Sequence, residues 1–308
     1  MNFDKIYEDL IKLNIKNIKK DLSLKQFCSF RIGGNAKLIA SINNEKELKK
    51  LIKYCLKNDV PYFIIGNGTN VLFSDHEYNG VIIKLKEDFK KLICKNKIVK
   101  VGASVSLFKL IEFCYENSLS RIEELYGIPG TVGGAVKINC GAYGKSFSDC
   151  IKKVKVFDGK RTSWIKKKNL EFGYRHSLFS NNKNTIILEA YLKFNKDSQE
   201  NIKSKMISTF QNKKDNQPYN KFSAGSVFKK YEGNAVSKII DELGLKGYKI
   251  GDAEISTKHA GFIVNNGNAT CKDVISLIKY IKERILSEKG FEPELEIELV
   301  GDFNDIIR

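Results

Sequence analysis

Long apolar runs and paired cysteines are both missing from this 308-residue sequence. No apolar stretch approaches the roughly 20 residues that a membrane-spanning helix needs, so we expect no membrane insertion. The seven cysteines are scattered, and none forms a CxxC pair of the kind that binds zinc or exchanges disulfides. No cluster of histidine and aspartate has the spacing of metal ligands, so no metal site is predicted.

The first 22 residues lack the continuous apolar segment of a signal peptide. Acidic residues occur early in this stretch, and its apolar residues recur at helical spacing. The pattern therefore predicts an amphipathic helix, and we expect a cytoplasmic protein. We also expect it to be a monomer.

A DNA- or RNA-binding signature is also absent, although the formal net charge is +17. Lysine is spread along nearly the whole chain instead of forming a cluster, and no recognition helix, zinc finger or RNP motif accompanies it. We expect no nucleic-acid partner, and an anionic small molecule would suit the charge equally well. The 42% hydrophobic and 29% charged composition is that of a globular chain of two or three domains.

Helical and strand-like patterns alternate along the chain, which indicates an α+β or α/β fold. The predicted helices are 45–58, 106–117, 199–214, 235–243 and 271–289, and the predicted strands are 36–42, 61–65, 80–85, 97–101, 153–157 and 185–194. Two further strand-like runs are HAGFIVNN and the terminal ELEIELVG. The charged helix that starts at Gln199 marks the best domain boundary.

Two glycine-rich segments carry the strongest functional signal. GIPGTVGGAVKINCGAYG spans Gly127–Gly144, and IIGNGTNVLFSD spans Ile64–Asp75 after a buried strand. Glycine allows positive φ and a close approach of backbone to a ligand, and glycine nests bind phosphate through backbone N–H groups. One such loop has an ordinary explanation in turn formation, but two of them indicate a dinucleotide site.

Two shorter motifs resemble nucleotide-binding signatures, but each lacks a glycine that the signature requires. GKS at Gly144–Ser146 resembles the end of a P-loop, but Asn139 stands where the first glycine of that motif is required. GNGTNV starts like a Rossmann fingerprint, but Val71 replaces the third glycine and no helical pattern begins there. We expect neither a Walker site nor a nicotinamide-binding Rossmann site.

Several motifs occur together in the order found in one enzyme family. They are RIGGNAKL, IGNGTNVLFSD, GIPGTVGGAVKINCGAYG, FGYRHSLF, QPYNKFSAGSVFKK, GLKGYKIGDAEISTKHAGFIVNNGNAT and ELEIELVG. From about Phe27 onward the chain resembles the UDP-N-acetylenolpyruvoylglucosamine reductases, in the shorter form of that family. These flavoenzymes complete UDP-N-acetylmuramate in peptidoglycan synthesis.

The resemblance implies an α+β architecture: a two-subdomain FAD-binding fold of the vanillyl-alcohol-oxidase/PCMH type and a C-terminal α+β substrate-binding domain. The implied domains are residues 1–75 and 76–205 for FAD and 206–293 for substrate, with the strand in 294–308 returning to the first domain. FAD would be bound without a covalent bond, and NADPH would be the reductant. The implied FAD-binding residues are Gly66, Asn67, Gly68, Thr69, Asn70, Val71, Pro129, Gly130, Thr131, Val132, Gly133, Gly134, Asn139, Gly141, Ala142 and Tyr143.

Three residues are the implied catalytic groups for reduction of an enolpyruvyl ether. Ser226 would donate the proton, although a serine after glycine more often serves as a turn or cap. Arg175 would stabilise the developing negative charge through a bidentate pair with a carboxylate. Glu296 would share a proton near the enol oxygen, and Glu294 and Glu298 are the alternatives in register.

The UDP-sugar substrate would contact Tyr174, Gln217, Lys229, Lys230 and His259. Lys230 departs from the family pattern, which has asparagine there, so this lysine either meets the UDP diphosphate or the contact is lost. Two alternatives stay open on sequence alone: another FAD-dependent oxidoreductase of the same fold, and a basic nucleotide-binding protein without catalysis.

Overall fold

The chain forms a mixture of helices and small sheets. The structure is a computed structural model that describes residues 1–182 and 184–304. In these residues the α-helices are α1 (Phe3–Lys12), α2 (Glu45–Lys57), α3 (Leu107–Glu116), α4 (Val132–Ile138), α5 (Gln199–Asn216), α6 (Val236–Glu242) and α7 (Cys271–Lys289). Single 3₁₀ turns occur at Leu24–Phe27, Glu87–Lys90, Glu123–Leu125, Phe147–Asp149 and Lys167–Asn169.

The strands are mostly short. In chain order they are β1 (Ile18–Ser23), β2 (Asn35–Ile42), β3 (Tyr62–Ile65), β4 (Val71–Phe73), β5 (Tyr78–Leu85), β6 (Leu92–Lys95), β7 (Ile98–Gly102), β8 (Leu119–Ser120), β9 (Gly141–Ala142), β10 (Lys145–Ser146), β11 (Ile151–Phe157), β12 (Thr162–Lys166), β13 (Ile186–Lys193), β14 (Asn195–Lys196), β15 (Lys249–Ile250), β16 (Ala253–Ile255), β17 (Ile263–Asn265) and β18 (Glu298–Val300).

These strands pair into small sheets. One sheet has the order β1-β2-β5-β3, in which β3 and β5 are parallel. A second has the order β12-β11-β13-β7-β6 and is antiparallel throughout. The antiparallel sheet β15-β16-β17 and the parallel pair β18-β4 belong to the C-terminal part and the first glycine segment.

Local sequence explains where the longer helices begin and end. The Asn44 side chain caps α2 by accepting from the Glu47 amide at 2.9 Å. Thr270 and Asp273 form a capping box at the start of α7, and Gly290 ends that helix with φ of 75°. The apolar residues of α2 recur at helical spacing, so one face of this helix is buried.

By contacts the described chain divides into two compact units. The first comprises residues 1–20, 38–66 and 80–212, and the second comprises 21–37, 67–79 and 213–304. The first unit holds a large apolar core to which α2, α3, β7, β11 and β13 all contribute. In the second unit α7 buries its apolar face, which includes Val274, Ile278 and Ile281.

Most sequence-predicted elements are confirmed within one or two residues, and α7 matches at both ends. The single helix expected over the first 22 residues is wrong: α1 ends at Lys12 and Ile18 begins β1. Asn14 causes the early end, because it adopts left-handed φ of 65° directly after the C-cap Leu13. The long glycine segment also contains a helix, α4, that composition alone concealed.

No helix in residues 1–182 and 184–304 combines the length and the apolar character that a bilayer crossing requires. The seven cysteines are free, and Cys55 and Cys114 are buried as expected for core residues. Burial raises the pKa of the Cys55 thiol to about 12. This thiol is therefore inert at neutral pH.

Candidate active site

The first glycine segment follows β3 and begins with the exposed Gly66. A Cβ on Gly66 would lie 2.5 Å from Thr131 Oγ1, so only glycine fits at this point against the second glycine segment. Gly68 adopts φ of 65°, and a Cβ there would meet the carbonyl of Phe27 at 2.1 Å. Close packing therefore requires glycine at both positions before any ligand is considered.

Asn70 has a structural task in addition to its predicted one. Its side-chain amide donates to the Glu296 carbonyl at 3.0 Å, and its own carbonyl accepts from the Glu298 amide at 2.9 Å. The next residue, Val71, begins β4 and pairs with Glu298 of β18. Asn70 thus fixes the segment that carries Glu296.

The second glycine segment opens at Pro129 and Gly130 and continues into α4. Val132 and Gly133 donate their amides to the carbonyls of Val105 and Ala103 at 2.9 and 2.8 Å. The Gly134 amide donates to Oγ1 of the cap residue Thr131 at 3.4 Å. The sequence predicts that the amides of residues 130–134 act together as a phosphate nest, but three of these amides donate to protein acceptors.

The remaining amides of this segment are those of Gly130 and Thr131, for which the described part of the chain supplies no acceptor. A Cβ on Gly130 would meet nothing closer than 4.0 Å. Protein packing therefore does not require glycine at this position. We call the open space beside the Gly130 and Thr131 amides the Gly130–Thr131 recess. Such a recess beside backbone N–H groups is compatible with the diphosphate of FAD.

Arg175 lies in a tight turn that Gly173 and His176 close with two backbone hydrogen bonds of 3.1 and 3.3 Å. Its φ is 50°, in the left-handed region that arginine rarely adopts. The guanidinium Nη2 donates to the Gly141 carbonyl at 3.0 Å and lies over the exposed ring of Tyr174. Backbone and side chain of Arg175 are therefore both constrained.

A small hairpin contains three of the predicted FAD-binding residues. Its first strand is Gly141 and Ala142, and its tip includes Tyr143. Ala142 of β9 pairs with Lys145 of β10. Tyr143 has φ of 48°, and its hydroxyl donates to Asn212 of α5 at 3.0 Å. Burial raises the pKa of Tyr143. The ring itself is half exposed, so it remains accessible to a ligand.

In the second unit, backbone contacts join the segment of Ser226 to the segment of Glu296. The Glu296 amide donates to the Val227 carbonyl at 2.8 Å, and Phe228 bridges Leu295 in antiparallel fashion. Gly225 precedes Ser226 with φ of 82°, which a residue with a Cβ rarely adopts. The structure thus brings the backbones of these two predicted catalytic residues together, and Arg175 belongs to the other unit.

The three candidate glutamates differ in environment. Glu294 is exposed and forms an ion pair with Lys229 at 2.9 Å. Glu298 lies on β18 and pairs with Val71. Glu296 is half buried between them, next to the Ser226 segment.

Lys230 borders a depression of 670 Å³ in the second unit. The walls include the stacked rings of Tyr231 and Phe291, 3.8 Å apart, and two further lysines, Lys238 and Lys289. Glu232 and Glu242 also line the depression, so the lysine that departs from the family pattern lies among charges of both signs and aromatic rings.

The remaining predicted substrate residues, Gln217 and His259, are also in the second unit. Gln217 is half buried directly after α5. His259 Nδ1 accepts from the Gly261 amide at 3.1 Å, and its ring packs edge-on against Phe262. Burial lowers the pKa of His259. The imidazole is therefore neutral at pH 7, with Nε2 carrying the proton.

The sequence analysis did not identify two serines that form hydrogen bonds to predicted site segments. The Ser29 amide and hydroxyl both contact the Gly68 carbonyl, and the hydroxyl donates to Ser223 at 2.6 Å. Ser177 is fully buried and donates to the Lys137 carbonyl at 2.6 Å. The available signal was their position: Ser29 lies two residues before the RIGG motif, and Ser177 is the last residue of the GYRHS motif.

The described residues contain no group of three or more His, Cys, Asp or Glu side chains that could hold a metal ion.

Two family models match the two parts of the chain. One is described as an FAD binding domain and matches residues 36–163, which include both glycine segments. The other is described as the UDP-N-acetylenolpyruvoylglucosamine reductase C-terminal domain and matches residues 217–300, which include Ser226 and Glu296. The protein is thus a flavoprotein with an FAD-binding domain and a separate C-terminal domain.

The chain is 39% identical to the UDP-N-acetylenolpyruvoylglucosamine reductase of Caldanaerobacter subterraneus subsp. tengcongensis, over 96% of this chain and 99% of the relative. It is 39% identical to that of Thermotoga sp. over 96% and 97% of the two chains. The crystal structure of the Thermus caldophilus reductase aligns with a TM-score of 0.80 at 33% identity and covers 92% of this chain and 98% of its own.

The chain belongs to the UDP-N-acetylenolpyruvoylglucosamine reductase family and is an oxidoreductase. The sequence predictions of the family, of the α+β FAD-binding fold with a C-terminal domain, and of FAD as cofactor are confirmed.

Proposed function

We propose that this protein reduces enolpyruvyl-UDP-N-acetylglucosamine, UDP-N-acetyl-3-O-(1-carboxyvinyl)glucosamine, to UDP-N-acetylmuramate for peptidoglycan synthesis, with NADPH as reductant. The observation that carries this proposal is the pairing of the Ser226 segment with the Glu296 segment inside the family's C-terminal domain. Similarity to the named reductases over nearly the whole chain supports it.

Held by the glycine segments, FAD would supply hydride transfer from NADPH to one carbon of the enolpyruvyl double bond. Ser226 donates a proton to the neighbouring carbon. Its left-handed neighbour Gly225 and the hydrogen bond from Val227 to Gly261 hold the serine in a defined place. A positioned hydroxyl can relay a proton where a freely rotating one cannot.

Arg175 holds the substrate carboxylate as negative charge develops on it. Its guanidinium can present two parallel N–H donors, and its anchored backbone reduces the entropy lost on binding. Glu296 shares the proton near the enol oxygen. The ion pair of Glu294 with Lys229 and the strand position of Glu298 favour Glu296 among the three glutamates.

The cofactor would lie along the glycine segments without a covalent bond. We assign its diphosphate to Gly66 and to the Gly130–Thr131 recess, with the first segment through Val71 and the Gly141–Tyr143 hairpin as further contacts. The substrate's UDP would contact Tyr174, Gln217, Lys229, Lys230 and His259. Lys230, Lys238 and Lys289 line the depression together with Glu232 and Glu242, so its lining keeps an excess of positive charge that suits a diphosphate.

The same proposal includes a cytoplasmic monomer that has no nucleic-acid partner. It also keeps the three domains 1–75, 76–205 and 206–293. The parallel pairing of β18 with β4 supports return of the C-terminal strand to the first domain. The last four positions of that predicted segment, 305–308, lie outside the described residues.

The test is the visible absorption spectrum of the purified protein under anaerobic conditions. We expect flavin bands that bleach with NADPH and return with enolpyruvyl-UDP-N-acetylglucosamine. Bleaching without recovery would indicate a different flavin oxidoreductase, in which case oxygen consumption with simple alcohols is the next measurement. A protein that stays colourless after FAD is supplied would contradict the proposal.

A further inference from the structure

Three residues other than glycine adopt left-handed backbone close together in the first unit. They are Asn139, Tyr143 and Arg175, with φ of 46°, 48° and 50°. Residues held in sparsely populated conformations persist only where surrounding contacts fix them, and they cluster at active sites. The contacts that fix these three therefore indicate how the site is held.

Asn139 ends α4, and its side chain is 4% exposed. The Oδ1 atom accepts from the Ser148 amide at 3.0 Å, and the Nδ2 atom donates to the Gly173 carbonyl at 2.8 Å. Gly173 is the residue that opens the Arg175 turn. One buried amide therefore links the end of α4, the 3₁₀ turn that contains Ser148 and the turn that carries the guanidinium.

The guanidinium is held by the same stretch of chain. Arg175 Nη2 donates to Gly141, two positions after Asn139. On the far side of the turn, Ser177 and Ser180 both donate to the carbonyl of Lys137, two positions before Asn139. The chain around Asn139 thus contacts the Arg175 turn before, at and after the arginine.

We propose that Asn139 is a positioning residue for Arg175: its buried amide fixes the turn so that the guanidinium meets the substrate carboxylate in the bidentate orientation. This inference rests on the proposed function of Arg175. It places the Asn139 side chain in the protein's own hydrogen-bond network, whereas the family resemblance implies a contact with FAD. Both ends of the amide are used by protein partners.

The test compares two variants of the FAD-loaded enzyme. Asn139→Asp keeps the size and the acceptor for Ser148 but replaces the donor to Gly173 with an oxygen. Asn139→Gly accepts left-handed φ without strain and lacks both bonds. We expect reoxidation of the reduced enzyme by the enolpyruvyl substrate to slow by roughly ten- to a hundredfold, because small misplacements of catalytic groups cost this much.

Flavin content and the rate of reduction by NADPH should stay at wild-type values in both variants. Asn117→Asp is the matched control, since the Asn117 amide also donates to a backbone carbonyl, that of Phe113 at 2.8 Å, on a helix end. We expect this control to leave both half-reactions unchanged. Loss of flavin, or equal slowing of both half-reactions, in the Asn139 variants would overturn the inference.

A double-mutant cycle separates positioning from general damage. In the Arg175→Lys background, Asn139→Asp should cost little further reoxidation rate, because the bidentate geometry is already lost. Independent, additive losses would overturn the inference. Hydrogen exchange of the His176 amide gives a readout without turnover: it should accelerate in Asn139→Asp without FAD as well as with it, and an unchanged rate would contradict the link.

The proposed function can fail separately. If the wild-type enzyme is not reoxidised by the enolpyruvyl substrate, the reaction assigned to the protein is wrong. The exchange measurement still reports whether Asn139 holds the turn.

Discussion

Arg175 combines an unfavourable backbone conformation with a well-anchored side chain. Left-handed φ costs a residue with a Cβ roughly 1–2 kcal/mol relative to glycine. The two turn hydrogen bonds and the contact to Gly141 offset that cost. A residue that keeps a strained conformation in a position where glycine would be more stable is a candidate for function.

We expect Arg175→Lys to slow the reoxidation half-reaction by roughly a hundredfold although the charge is retained, because an ammonium cannot form the planar bidentate pair. Stopped-flow absorbance after the enolpyruvyl substrate is added measures this rate. Near-normal turnover would remove Arg175 from the catalytic site.

Arg175→Gly is the companion variant. It removes the guanidinium but suits the left-handed turn, so thermal stability should be equal to or above that of the wild type while turnover falls. A large drop in melting temperature would show that the arginine is needed for folding, and its catalytic assignment would lose support.

Ser226→Ala separates the two half-reactions. Reduction by NADPH needs no proton from this hydroxyl and should be nearly unaffected. Reoxidation by the enolpyruvyl substrate should slow by about 10²- to 10⁴-fold, the range for loss of a positioned general acid. The two rates are measured separately in anaerobic stopped flow, and equal loss of both would count against the proton-donor role.

At the scale of elements, α4 shows how a glycine-rich segment divides its tasks. Gly133 serves packing, because a Cβ there would lie 3.2 Å from Ala103. Gly130 has free space around its missing Cβ. The same residue type therefore serves the fold at one position and leaves a recess at another.

Alanine substitution tests this division. Gly133→Ala should lower the melting temperature of the FAD-free protein, because the neighbouring strand end must move. Gly130→Ala should leave that temperature nearly unchanged but weaken FAD binding, measured by fluorescence titration of FAD-free protein. Unchanged FAD affinity in Gly130→Ala would contradict the assignment of the diphosphate to this recess.

The start of α2 is tied to the five-stranded sheet through Glu45. Partial burial by itself raises the pKa of Glu45, but hydrogen bonds from Lys155, Lys49 and Thr162 outweigh it and hold the pKa at about 2 instead of 4.5. Because the folded-state pKa is depressed, this contribution to stability is complete above pH 4.5 and is lost as the pH falls towards 2.

Glu45→Gln should therefore lower the free energy of unfolding at pH 7 by on the order of 1 kcal/mol, after allowance for solvent screening. The difference from wild type should shrink as the pH falls below 4.5. Urea unfolding at pH 7 and pH 3.5 measures it, with the exposed Glu8→Gln as control. A difference that does not depend on pH would contradict the ionic origin.

At the scale of the whole molecule, the net charge of +17 favours the anionic ligand that the FAD-binding domain binds. Lysines are dispersed, and a general positive potential favours anionic ligands such as nucleotide diphosphates without fixing where they bind. Specific binding must come from the local geometry of the glycine segments.

Removal of FAD should destabilise the protein, because a ligand that binds only the folded state stabilises it by an amount that grows with the logarithm of its free concentration. A ligand at 100 times its Kd stabilises the folded state by about 2.7 kcal/mol, and the melting temperature should continue to rise with the logarithm of the free FAD concentration as FAD is added back. Riboflavin, which lacks the diphosphate, should give a much smaller rise. Equal shifts with both compounds would contradict diphosphate binding by the glycine segments.

Much of the architecture could be predicted from local sequence. Apolar spacing located α2 and α7, because a helix that buries one face must repeat its apolar residues every three or four positions. Ordered motifs identified the family and the FAD-binding fold. The failure at the N-terminus came from Asn14, since a single left-handed residue ended a helix whose apolar pattern continued.

The sequence by itself determined the glycine segments and the helical faces, because each depends on residue type and near neighbours. The resemblance of its motifs to the family implied the candidates Arg175, Ser226 and Glu296. Only the tertiary structure showed which α4 amides already donate to protein acceptors. It also showed that the Asn139 side chain donates to the turn that carries Arg175. The partners of Asn139 lie 9 and 34 residues away along the chain. Hydrogen bonds from a side chain to backbone groups far along the chain leave no periodic trace in a sequence, so only the folded structure shows them.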